Sequence, residues 1–91
     1  MDLSEQEQAI VEGGLQAEAL LGNPTFVSVI QGIGFQCFEA FMASNPHDTP
    51  GRENAYNLYQ GLKAIEAELR HRINQKDQIA ARLDAEDEDL D

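Results

Sequence analysis

Two helix starts marked by proline divide this chain. Asn23-Pro24 and Thr49-Pro50 each set a capping side chain ahead of a proline, whose missing N–H and fixed φ suit a first helical turn. Asp48 is a competing cap for the second start. Between them, Phe26, Val29, Ile30, Ile33, Cys37, Phe38, Phe41 and Met42 recur at helical spacing. The stripe is wide, and Val27 and Phe35 extend it on the flank, so this helix calls for partners on more than one side. Gly32 and Gly34 thin its surface, and Ser44-Asn45-Pro46 ends it. The spacing predicts a helix over 24–43.

Upstream, Ser4-Glu5-Gln6-Glu7 has the form of a capping box, and its early acids suit the positive end of a helix dipole. Ile10, Leu15, Ala17, Leu20 and Leu21 supply apolar contacts, and Gly22 is placed to stop the helix, giving 4–21. Gly13-Gly14, in the middle, costs about 1 kcal/mol per glycine relative to alanine. The pair implies either a kink or a close packing contact. Downstream, Ala55, Leu58, Leu62, Ile65, Leu69 and Ile73 follow a near-heptad seam, which resumes thinly at Ile79, Ala80 and Leu83. This gives a third helix over 50–83.

Charge is unevenly placed. Of 17 acids and 6 basic residues, residues 1–51 hold seven acids and no Lys or Arg. Residues 52–83 hold four acids and all six basic residues, and 84–91 hold six acids in eight positions. The last segment buries too little apolar surface to order itself, so residues 84–91 are expected to be a disordered acidic tail. The expected fold is all-α: one helical domain over 1–83, built on an antiparallel hairpin of the second and third helices, with the first packed across it. At 1.5 Å per residue the third helix, about 50 Å long, outruns its partners by roughly 20 Å. That overhang, Ile73 to Leu83, is expected to lack a partner within the chain.

No catalytic constellation is present. His47 and His71 lack metal-ligand spacing and read as exposed side chains. Cys37 sits among Phe35, Phe38 and Phe41 with no cation nearby, the setting of a buried small hydrophobe and not of a reactive thiol. Gly32-Ile33-Gly34 follows no strand and precedes no Gly-Lys-Ser/Thr, so it is not a phosphate loop. No cofactor, metal or catalytic residue is expected. A single Cys excludes an internal disulfide, and the acidic start MDLSEQEQ is unlike a secretory signal. No apolar run is read as long enough to span a membrane. Lys63, Arg70, Arg72 and Lys76, near Tyr56 and Tyr59, form a small basic patch interrupted by Glu66, Glu68 and Asp77. With a net charge of −11 the molecule repels phosphate, so direct nucleic-acid binding is not expected. The patch instead suits docking to the acidic half of a neighbouring copy or to another protein.

The order Leu21-Gly22-Asn23-Pro24-Thr25-Phe26, a helix of about 20 residues, Asp48-Thr49-Pro50-Gly51-Arg52-Glu53, and a helix with regularly spaced leucines resembles small proteins encoded among the head-assembly genes of tailed bacteriophages. The resemblance covers roughly residues 19–75. It implies a non-enzymatic phage protein acting through protein–protein contact in virion assembly, located in the host cytoplasm or the virion. The alternative is an acidic inhibitor, a DNA mimic or anti-defence protein, that blocks a host nucleic-acid-binding enzyme. The partners expected are a phage structural protein or a host enzyme, together with further copies of the chain. The expected interaction residues are Arg70, Arg72, Ile73, Lys76, Ile79 and Leu83.

Overall fold

The structure, a computed structural model, describes residues 3–89. The described residues form three helices and no strands: α1 (Glu5–Leu21), α2 (Pro24–Ala43) and α3 (Thr49–Asp89). Each boundary has a local cause. The Ser4 hydroxyl accepts from the Glu7 N–H at 3.1 Å while the Ser4 N–H donates to the Glu7 carboxylate at 3.2 Å, completing the capping box. Gly22 ends α1 with ordinary right-handed dihedrals, so Asn23 and Pro24, not a left-handed glycine, turn the chain. Asn23 Oδ1 accepts from the N–H groups of Thr25 and Phe26, with Pro24 in the first turn of α2. At the start of α3 the competition between two caps goes to Asp48, whose Oδ1 accepts from the Gly51 N–H at 3.1 Å. Thr49 is thereby taken into the helix.

The chain divides into two compact units. Unit 1 comprises Met1–Gly22 and Glu68–Asp91, and unit 2 comprises Asn23–Ala67, so α3 contributes to both. In unit 1 the contact between α1 and α3 is close at Gly14, which is buried. A methyl group there would overlap Lys76 Cβ and lie 2.9 Å from the Arg72 carbonyl oxygen. Of the two readings of Gly13-Gly14, close packing is the one observed, and only Gly14 takes part, since the space beside Gly13 is open. Ala17 supplies the buried apolar side chain. In unit 2, Cys37 and Leu62 are buried, and a methyl group added at Gly34 would lie 4.0 Å from Leu62 and from Tyr59.

Three expectations are corrected. The overhang of α3 does have a partner within the chain, since α1 groups with it. Glu7 in the first turn of α1 pairs with Arg82 near the far end of α3. The segment expected to be a disordered tail is helical through Asp89, while residues 90 and 91 lie outside the described residues. Ala80, Ala81 and Ala85 favour continuation, and Arg82 lies 3.7 Å from Glu86 one turn on. Finally, α2 is 20 residues long with a mean hydropathy of 1.4 over its most apolar stretch, so by length and composition it could cross a membrane. Its polar interruptions, Ser28, Gln31 and Gln36, break the apolar run without adding charge, and Glu39 is its one charged residue.

Candidate protein-interaction surface

The six expected interaction residues lie in unit 1, and α1 meets part of that set. Ile73, Lys76, Ile79 and Leu83 are half-buried, whereas Arg70 and Arg72 remain exposed. Lys76 pairs with Glu18 of α1 and with Asp77 at 3.0 Å, which raises its pKa, Glu18 contributing most. Glu7 is held below the ordinary glutamate range, first by the hydrogen bond from Arg82 and then by the Ser4 N–H, and Arg82 is raised in return. Arg72 spends its guanidinium on Glu68 at 3.2 Å, within its own helix. The space beside Ile10, Ile79 and Arg82 is an open depression of about 300 Å³. The argument that placed an intermolecular contact here, an unpartnered overhang, therefore falls away.

The unpartnered apolar surface is in unit 2. Phe38 belongs to the apolar stripe of α2 and Leu62 to the seam of α3. Leu62 is buried, but Phe38 is 58% exposed, since Cys37 and Phe41 occupy the inner face and Phe38 sits one flank over. On that flank Phe35 is 61% and Met42 66% exposed. Facing them from α3 are Tyr56 and Tyr59, also exposed. Together Phe38, Phe41, Met42, Tyr56 and Tyr59 line an open groove of about 500 Å³, with Cys37 and Ala55 at its floor. Two cations edge it. The Arg52 guanidinium lies 4.3 Å from the centre of the Phe41 ring, and the Lys63 ammonium lies 5.6 Å from that of Tyr59. Neither is within ion-pair distance of a carboxylate among the described residues.

A second, smaller depression of about 290 Å³ lies on the other side of the same helix contact, between Ile33, Ala40 and Leu58. The contact between α2 and α3 in unit 2 is thus flanked by apolar surface on both sides. Its sequence signal was the width of the α2 stripe, which a single neighbouring helix cannot cover. His47 and His71 are exposed, and no three His, Cys, Asp or Glu side chains gather into a metal-binding group among the described residues. Comparison of the chain with protein-family models, with curated proteins and with solved structures gave no match.

Proposed function

We propose that this chain is a non-enzymatic helical protein that works by protein–protein contact and associates with copies of itself. The observation that carries this reading is the exposed apolar surface of unit 2. A chain of 91 residues has little core to spare, and among the described residues only Ala17, Cys37 and Leu62 form a buried apolar core. Contiguous exposure of Phe35, Phe38 and Met42 beside Tyr56 and Tyr59 is the kind of patch that marks an interaction site on a soluble protein. Phe, Tyr, Met and Arg are also the residue types enriched in protein interfaces.

Within this reading each unit is an antiparallel helix pair. Partner numbers fall along one helix as they rise along the other: Gly34 meets Leu62, and Phe41 meets Arg52. In unit 1, Glu7 meets Arg82, and Gly14 meets Lys76. A protein cover suits α2 better than lipid, because Gln31, Gln36 and Glu39 interrupt it and Cys37 already packs within unit 2. The setting of virion assembly rests on the resemblance to phage head-assembly proteins. It predicts that the chain is found in assembling particles. Recovery only as free protein bound to a host enzyme would favour the inhibitor instead.

Self-association is tested by thermal unfolding across protein concentration. If the folded state is an oligomer, Tm rises with concentration by mass action. A Tm that stays constant from about 1 to 100 μM would overturn the reading.

A further inference from the structure

We infer that copies join head to tail, the acidic outer face of α1 in one copy docking into the cation-edged aromatic groove of unit 2 in the next. The inference rests on the self-association proposed above and names the two surfaces that meet. A groove-to-groove dimer is disfavoured by charge, because it would bring Arg52 and Lys63 of one copy against the same cations of another. The groove calls for an acidic, amphipathic occupant.

The chain carries one such face. Glu5, Glu12, Leu15 and Ala19 follow one another at steps of 7, 3 and 4, which places them on one side of α1, with Leu20 beside them. All five are exposed, Leu15 by 55%. The opposite side of α1, with Gly14 and Ala17, is spent on α3. An exposed leucine one turn from an exposed carboxylate matches an aromatic groove with a cation at its edge. Leu15 enters the groove beside Phe38, Met42 and Tyr59, while Glu12, three residues before it, meets Lys63. Residues 1–51 contain no Lys or Arg, so no basic residue on α1 opposes the approach. The contact joins two different surfaces, so it closes as a reciprocal pair or repeats into a ring or a filament.

Two variants separate this arrangement from the alternatives. Leu15→Asp spoils the α1 face and keeps the groove, and Met42→Asp spoils the groove and keeps the α1 face. Both positions are more than half exposed, and circular dichroism checks that each variant keeps its helices. Each variant alone should lose at least about tenfold in self-affinity. Mixed in equal amounts they should form a pair of about twice the 10.1 kDa chain mass and stop there, since only one intact contact can form. Charge exchange gives a second reading: Glu12→Lys and Lys63→Glu should each weaken assembly, and the two together in one chain should restore it. If the unaltered protein assembles but Leu15→Asp assembles equally well, the head-to-tail contact is wrong while self-association stands. If the unaltered protein does not assemble, both fail.

Discussion

Gly13 and Gly14 are adjacent and chemically identical, yet replacing them should have opposite effects. Nothing lies within 4 Å of a methyl group at position 13, so Gly13→Ala gains helix propensity and should stabilise by about 0.5–1 kcal/mol. At position 14 the methyl meets the Arg72 carbonyl oxygen at 2.9 Å, and backbone cannot swing aside. Overpacking of about 1–3 kcal/mol then outweighs the propensity gain, and Gly14→Ala should lower stability. Denaturant titration of both variants checks the pair. Equal shifts would mean that α1 does not approach α3 closely at Gly14. The Glu7–Arg82 pair gives a pH signature. Because the Glu7 pKa is lower in the folded state, its stabilisation is complete above the unfolded value and is lost as pH falls through the folded one. Glu7→Gln keeps a capping-box side chain but removes the charge. It should lower Tm at about pH 7, with the gap to the unaltered protein closing towards pH ~3. A gap of constant size would assign the effect to something other than the ion pair. Lys76 has the opposite sign: its raised pKa keeps its stabilisation in place below the ordinary lysine value, and the contribution is lost as pH rises above it.

In α2 the inner and flanking positions have different duties. Leu62 is the buried α3 residue of unit 2, and Leu62→Ala should cost about 2–5 kcal/mol. Phe38→Ala removes an exposed ring and should cost less than about 1 kcal/mol of folding stability while weakening association. Comparable losses at both positions, measured on dilute protein, would place Phe38 inside unit 2 after all. The starts of the three helices were legible in the sequence because Ser4, Asn23 and Asp48 act through hydrogen bonds to residues two or three positions away. Pairing of α1 with the end of α3 was not, since a glycine that admits a neighbouring helix does not say which one. The inward face of α2 was half legible. Periodicity identifies a stripe, but Cys37 and Phe38 are adjacent members of it, and only tertiary contact decides which turns in. The end of α3 was misjudged by weighing only how little apolar surface it could bury, without the i,i+4 partner that Arg82 provides to Glu86.

For the whole molecule, the charge partition and the apolar surface point the same way. The basic residues are confined to 52–83, the first half is purely acidic, and the aromatic groove lies in unit 2 with Arg52 and Lys63 at its edge. Association should therefore have two components. The electrostatic one weakens with salt, as screening shortens from about 8 Å at physiological ionic strength, and the apolar one persists. Sedimentation equilibrium of the unaltered chain, with Met42→Asp alongside, tests the central claim most directly. The account predicts a mass above 10.1 kDa that grows with concentration for the unaltered chain, and a mass near 10.1 kDa for the variant. A mass of 10.1 kDa for the unaltered chain at every concentration up to about 100 μM would contradict it.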